Sequence, residues 1–184
     1  HHRARGHNAL AFHAAGQELL VNAPFDPLRK IHSRESAARW RHSLRGDVVF
    51  TNGVFDLLHP GHIDVLRGAS AEGEHLIVGV NSDASVRRLN KGPERPIRNE
   101  RDRAYVLAAL EMVSAVVIFD EDTPRELVTA VQPDVIVKGG DYDMDRLPES
   151  ALVKSWGGQA LALPFVSGYS TTQLVTRIRA TPPR

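Results

Sequence analysis

Residues 48–62 read Val-Val-Phe-Thr-Asn-Gly-Val-Phe-Asp-Leu-Leu-His-Pro-Gly-His, and this stretch organises the rest of the chain. Its first three residues form a short apolar run, typical of a buried parallel strand, and the run breaks at Asn52-Gly53. Apolar residues recur at helical spacing after His62, and proline is favoured at the first position of a helix. The stretch therefore predicts a strand, a turn and a helix whose start carries two histidines, His59 and His62.

The start of this helix is suited to an anion. Its first backbone N–H groups have no acceptor within the helix, and the helix dipole is positive at this end. Taken singly, each residue also has a structural interpretation: Gly53 and Gly61 as turn residues, a histidine as a hydrogen-bonding group, and Asp56 as a cap. Together, two imidazoles beside such a terminus indicate chemistry on a phosphate.

Length and composition indicate an ordinary globular domain. The 184 residues suffice for one domain with a complete core, and 42% of them are hydrophobic. The 23 Lys and Arg residues balance 22 Asp and Glu residues, so we expect no nucleic-acid or membrane partner. The chain has no cysteine, which excludes a disulfide, a thiolate metal site and a cysteine nucleophile. No apolar run approaches the ~18 residues that cross a bilayer, and we expect a cytoplasmic protein.

Strands and helices alternate along the chain from residue 47 onward. The predicted strands are Val48–Phe50, His75–Asn81, Val116–Phe119, Val135–Lys138 and Ala160–Leu163. Glycine, proline and capping residues separate the helices between them, as in the capping box of residues 123–126. The alternation predicts an α/β fold, a Rossmann-like, doubly wound parallel five-stranded sheet with helices on both faces.

Residues 1–46 are interpreted as an N-terminal extension, and residues 47–184 as the domain itself. The extension contains one predicted helix, capped by Ser33, that runs from Arg34 to about Arg45. Trp40 and the apolar patch Leu19–Val21 are more apolar surface than a domain of this size easily hides. We therefore expect a homodimer that uses part of the extension.

Polar and glycine-rich positions follow the ends of the predicted strands, at residues 51–62, 81–83, 138–142 and 167–172. Ligands of such sheets bind beyond the carboxyl ends of the strands, where the strand order reverses. These positions should therefore converge on one rim. Lys91 and Arg95 fit a phosphate site there, but also a solvated loop, and Ser170 fits both a site and an ordinary helix cap.

Five segments in this order resemble one enzyme family. They run from Phe50 to Thr172 and read Phe-Thr-Asn-Gly-x-Phe-Asp-Leu-Leu-His-x-Gly-His, Val-Gly-Val-Asn-Ser-Asp-Ala-Ser-Val, Arg-Pro-Ile, Val-Lys-Gly-Gly-Asp-Tyr and Ser-Thr-Thr. The set resembles the D-glycero-D-manno-heptose 1-phosphate nucleotidyltransferases, the adenylyltransferase half of bifunctional ADP-heptose synthases and their stand-alone relatives. The resemblance covers residues 47 to about 180.

This resemblance implies transfer of a nucleotidyl group from an NTP, with ATP expected, to a sugar 1-phosphate. It implies Mg²⁺ held mainly by the nucleotide phosphates, with no metal held by the protein itself. The kinase half of the bifunctional enzymes is not in this sequence, so a separate sugar kinase would supply the heptose 1-phosphate.

The resemblance also implies three groups of site residues. The catalytic group is His59, His62 and Lys91. The nucleotide-binding group is Thr51, Asn52, Gly53, Phe55, Asp56, Lys138, Gly139, Asp141, Ser170, Thr171 and Thr172. The acceptor-binding group is Asn81, Asp83, Arg95, Gly140 and Tyr142.

Three other functions stay open. A glycerol-3-phosphate or other alcohol-phosphate cytidylyltransferase of the same superfamily typically has an arginine shortly before the Ser-Thr motif, where this chain has residues 165–169. A metal hydrolase would use His59, His62 and Asp56, but Pro60-Gly61 makes a turn instead of the helical i, i+4 spacing of two metal-binding histidines. A non-catalytic module would bind an NTP without releasing pyrophosphate.

Overall fold

The computed structural model describes residues 25–90, 92, 94–164 and 168–180. The strands of this part are β1 (Ile31–His32), β2 (Val48–Gly53), β3 (His75–Asn81), β4 (Ala115–Phe119), β5 (Val135–Gly139) and β6 (Gln159–Leu163). The helices are α1 (Arg34–Ser43), α2 (Pro60–Ser70), α3 (Asp83–Arg88), α4 (Glu100–Ala108), α5 (Arg125–Val131), α6 (Pro148–Ser155) and α7 (Thr171–Ala180). Two short 3₁₀ helices lie at Pro27–Lys30 and Met144–Arg146.

The described strands form one parallel sheet in the order β1-β4-β3-β2-β5-β6. The predicted doubly wound parallel sheet is confirmed, but the number of strands was wrong, since the described residues form six instead of five. The additional strand is β1, in which Ile31 pairs with Val116 and His32 with Val117. A strand of two residues is too short to show an alternation of apolar and polar residues, and it is defined only by its pairing with β4.

Helices cover both faces of the sheet, and successive residues of each strand alternate between the faces. Val48 and Phe50 pack in the core layer with α1, α5 and α6, whereas Val49 packs in the layer with α2 and α4. All three side chains are fully buried. Burying a side chain of this size contributes about 1.5–3 kcal/mol, which is why these strands read as continuous apolar runs.

The strand order reverses beside β2. From β2 the chain proceeds through β3 to β4, and it then crosses to β5 on the other side of β2. Helix α2 begins seven residues after the end of β2, so its N-terminus lies at this reversal. Within the described residues, none of the helices combines the length and apolarity that crossing a bilayer requires.

Candidate active site

A cavity of about 430 Å³ lies where the strand order reverses, at the carboxyl ends of β2 and β5. The turn after β2, the first turns of α2 and α7, and the end of β5 form its walls. Its described lining residues are Thr51, Asn52, Gly53, Val54, Phe55, Asp56, His59, Gly61, His62, Val65, Arg95, Gly139, Tyr169, Ser170, Thr171 and Thr172. The segments after β2 and β5 and the first turn of α7, distant in sequence, thus share one cavity.

The two histidines form a stacked pair at the start of α2. His59 is the N-cap residue, and the backbone N–H of His62 donates to its carbonyl oxygen at 2.9 Å. The ring centroids are 3.8 Å apart with an angle of 21° between the ring planes. The Phe55 ring lies 5.3 Å from that of His62, and the Tyr169 ring lies 6.3 Å from that of His59. Aromatic neighbours on both sides therefore hold the imidazoles against the cavity.

Burial affects the pKa of His59. It lowers the pKa of the His59 imidazole below its ordinary value, and a hydrogen bond with the backbone of the same residue opposes this only in part. The Nδ1 atom is buried without a hydrogen bond from another described residue. A nearby anion favours the protonated imidazole, so a bound phosphate would raise this pKa again.

Small residues and one strained residue shape the turn between β2 and α2. Phe55 has a φ of +49°, a left-handed conformation that is uncommon for a large side chain. Its ring occupies the space beside Gly53, where an added Cβ would lie 3.1 Å from ring atom Cε2. The absence of a side chain at Gly53 lets the Phe55 ring lie across the turn and reach His62.

Asp56 ties a second loop to this turn. Its side chain is fully buried, and its carboxylate accepts the backbone N–H groups of Ile97 and Arg98 at 2.9 Å and the Nε–H of Arg95. Both carboxylate oxygens are therefore engaged within the protein. This geometry speaks against the metal hydrolase, in which Asp56 would share a metal ion with the two histidines. The bonds to Asp56 hold Arg95 at the cavity wall.

Arg103 is a buried residue of the site that the sequence prediction missed. Its guanidinium donates to the carbonyl oxygen of Val54 at 2.6 Å, to Asp83 Oδ1 at 2.8 Å and to the carbonyl oxygen of Arg98 at 3.0 Å. It thus ties the turn after β2 to the start of α3 and to the loop before α4. In the sequence, Arg103 is the last of four consecutive charged residues. The one sequence feature that indicates its burial is its position four residues before Leu107, which is buried and lies on the same side of the helix.

Lys138 lies on the other side of the sheet from the histidines. Its ammonium contacts Asn52 Oδ1 at 2.5 Å and Glu149 Oε1 at 2.8 Å. Lys138 is not among the described lining residues of the cavity, although Asn52 is. The sequence prediction included Lys138 but not Glu149, its partner on α6.

The cavity contains most of the predicted nucleotide-binding residues but fewer of the predicted acceptor-binding ones. Outside its described lining are Lys138, Asn81, Asp83, Gly140, Asp141 and Tyr142. Asn81 donates to Ser85 Oγ, Asp83 pairs with Arg103, and Tyr142 is about half exposed. Lys91 lies outside the described residues. The ligand-binding roles of all these residues stay predictions.

Two comparisons of the sequence with known proteins identify its family and its relatives. A family model described as cytidylyltransferase-like matches residues 50–177. The chain is 60% identical over 132 residues to a D-beta-D-heptose 1-phosphate adenylyltransferase of Bordetella bronchiseptica, an alignment that covers 72% of this chain and 82% of that protein. It is 48% identical over 166 residues to a bifunctional protein HldE of Magnetococcus marinus, with 88% of this chain and 34% of that protein covered. The chain thus spans about a third of this bifunctional relative.

Solved structures show the same architecture. A lipopolysaccharide core biosynthesis protein from Thermoplasma volcanium is similar with a TM-score of 0.56 and 28% sequence identity, covering 68% of this chain and all of that one. A pantoate-beta-alanine ligase from Francisella tularensis has a TM-score of 0.54 at 14% identity, with 81% of this chain and 76% of that chain covered. At this identity the second similarity concerns the fold alone.

Proposed function

The chain belongs to the cytidylyltransferase-like family, and from this membership we propose that it transfers the adenylyl group of ATP to a heptose 1-phosphate. The products are an ADP-heptose and pyrophosphate. The observation that carries the proposal is the stacked pair of His59 and His62 at the start of α2, inside the cavity at the strand reversal. The 60% identity to an enzyme named for heptose 1-phosphate adenylyl transfer supports the choice of substrates.

The proposed reaction asks the protein for positioning and charge stabilisation. A phosphate oxygen of the sugar attacks the α-phosphorus of ATP, and the bond from that phosphorus to the bridging oxygen of the pyrophosphate breaks in line. His59 and His62 would donate to oxygens of the α-phosphate as the phosphorus becomes five-coordinate. The first turn of α7 lines the cavity, and its N–H groups other than that of Gln173, which Ser170 Oγ already accepts at 3.0 Å, would contact other nucleotide oxygens.

Magnesium would enter with ATP as part of the substrate. Asp56 is the one carboxylate among the described lining residues, and Arg95 and the backbone of residues 97 and 98 already engage its oxygens. The ligands of the Mg²⁺ ion would therefore be phosphate oxygens of the nucleotide, with water completing the shell. Arg95 also lines the cavity, with its charge balanced by Asp56.

Pyrophosphate release from four NTPs, each with heptose 1-phosphate or glycerol 3-phosphate, tests the proposal. We expect turnover with ATP and heptose 1-phosphate. Turnover of CTP and glycerol 3-phosphate at a comparable kcat/KM would instead support the alcohol-phosphate cytidylyltransferase. ATP binding with no pyrophosphate release from any pair would support the non-catalytic module.

The proposal extends to a cytoplasmic homodimer that receives its acceptor from a separate sugar kinase. The homodimer was expected from Trp40 and from the apolar patch Leu19–Val21. The patch lies outside the described residues. Trp40 stacks on His32 at 5.5 Å and packs against the core, so it adds little to a free apolar surface. Phe25 and Leu28, which are 51% and 53% exposed, are better candidates for the contact. A monomer in light scattering at micromolar concentration would contradict the homodimer.

A further inference from the structure

A buried ion pair lies across the sheet from the stacked histidines. Lys138 is the fourth residue of β5, and because Gly139 faces α2 on one side of the sheet, Lys138 faces α6 on the other. Its Nζ atom is 2.8 Å from Glu149 Oε1. Lys138 and Glu149 are only 9% and 4% exposed. An ammonium at this depth requires a partner of opposite charge, and Glu149 supplies it.

This arrangement leaves Lys138 poorly placed to bind a phosphate directly. Glu149 balances its charge and lies in the first turn of α6, where the helix dipole favours a carboxylate. Lys138 is also absent from the described lining of the cavity. Its contact with the site is instead Asn52 Oδ1, at 2.5 Å.

The contact with Lys138 determines the orientation of the Asn52 amide. An ammonium group has only donors, so the amide atom facing it must be the oxygen. The NH₂ group is then the end of the amide turned away from Lys138, and Asn52 is one of the described residues that line the cavity with His59 and His62. A phosphate oxygen accepts hydrogen bonds, so this orientation presents a donor to a substrate phosphate, whereas the flipped amide would present a second acceptor.

We propose that Lys138, held by Glu149, is a positioning residue that orients the Asn52 amide so that its NH₂ donates to a phosphate oxygen of the bound substrates. The proposal rests on the proposed nucleotidyl transfer. It replaces the predicted direct role of Lys138 in nucleotide binding with a role exerted through Asn52. The buried pair thus acts on the site without touching the substrate.

A double-mutant cycle on kcat/KM separates this role from direct binding. Single replacement of Lys138 would leave the Glu149 charge buried alone, so the variant is the pair replacement Lys138→Met with Glu149→Leu, which removes both charges together. We expect this variant to fold and to lose between about tenfold and a hundredfold in kcat/KM, the range typical of residues that orient a directly acting group. Asn52→Ala should lose at least as much.

The combined variant decides between the two roles. If Lys138 acts only through Asn52, the pair replacement should cause no further loss of kcat/KM in the Asn52→Ala background. Losses that multiply in the combined variant would overturn the proposal, because Lys138 would then act independently of Asn52. A pair replacement with wild-type kcat/KM would also overturn it.

Arg41→Met is the matched control. Arg41 forms an ion pair with Asp134 at 2.8 Å, next to the start of β5 and so at the opposite end of the sheet. The Arg41→Met substitution should therefore leave kcat/KM unchanged. If the wild-type protein released no pyrophosphate, the proposed function would fail, and the same cycle would be measured on the dissociation constant of ATP by calorimetry. In that measurement too, positioning through Asn52 would be contradicted if Asn52→Ala raised the dissociation constant by the same factor with and without the pair replacement.

Discussion

Replacing Gly139 by alanine adds a methyl group where β5 touches α2. The added Cβ would lie 2.5 Å from Val65 Cγ2 and 2.9 Å from Val65 Cγ1. Carbon atoms pack best at about 3.5–4.0 Å, so Val65 must shift by about 1 Å, and we expect α2 to move away from the sheet with it. The φ of Gly139 is not in the left-handed region, so the backbone itself accepts alanine.

This displacement would move the stacked histidines, because His62 lies in the first turn of α2 and His59 is its N-cap residue. An error of about 1 Å in the position of reacting groups can cost about 10²-fold in rate, and overpacking of a core costs about 1–3 kcal/mol. We therefore expect Gly139→Ala to lower kcat/KM for pyrophosphate release by about 10²-fold and to lower the unfolding free energy within that range. Steady-state kinetics and urea denaturation measure the two effects.

Val65→Ala provides the rescue, because it removes both methyl groups that the new Cβ would meet. The combined variant should regain the kcat/KM of Val65→Ala alone, which is the reference since Val65 also lines the cavity. If the combined variant stays as slow as Gly139→Ala, the packing argument is wrong. Glycine would then be required because the substrate itself approaches the backbone at residue 139.

Substitutions of the two site histidines and of Asp56, and a change of pH, give further tests. His59→Ala and His62→Ala should each lower kcat by about 10²–10³-fold with the KM for ATP nearly unchanged, whereas a raised KM with wild-type kcat would show that the histidines only bind or hold the turn. Asp56→Asn leaves the charge of Arg95 buried without a partner and should lower the unfolding free energy by about 3–5 kcal/mol in urea, and a loss below about 1 kcal/mol would contradict this. Burial lowers the pKa of His32 and His59, so the unfolded chain takes up protons first and the urea midpoint should fall as the pH drops through about 6.5. An unchanged midpoint between pH 7.5 and 5.5 would contradict the lowered pKa values, and His32→Gln should reduce the dependence.

The strands that the sequence predicted well are those whose burial on both faces leaves an uninterrupted apolar run. β3 is an example, since six of its seven residues are buried and its predicted range, His75–Asn81, agrees with the structure. β1 has no comparable pattern, because Ile31 and His32 are only partly buried and pair with an edge of β4. Its existence depends on a partner about 85 residues away, which local periodicity does not report.

The same distinction between local and distant information applies to the site. His59 and His62 were predictable because the turn that places them is contained in a few neighbouring residues. Arg103 acts on the carbonyl oxygen of Val54, 49 positions away in the chain, and Lys138 on Asn52, 86 positions away. Such contacts follow from the strand order and from helix packing. The sequence therefore placed Lys138 among the nucleotide-binding residues, although its ammonium faces Glu149.

Among the described residues, three largely buried ion pairs lie near the carboxyl ends of β2, β3 and β5, namely Asp56–Arg95, Asp83–Arg103 and Glu149–Lys138. Stability does not by itself explain them, because apolar residues of similar volume often replace such pairs at little or no cost. Each pair instead fixes a polar group near a strand end, where the sheet no longer orders the backbone: the loop after residue 94, the carbonyl oxygen of Val54 and the amide of Asn52. Stabilisation of a transition state requires groups that are oriented before the charge develops. We therefore propose that the pairs hold these groups of the site in place before the phosphorus changes its coordination.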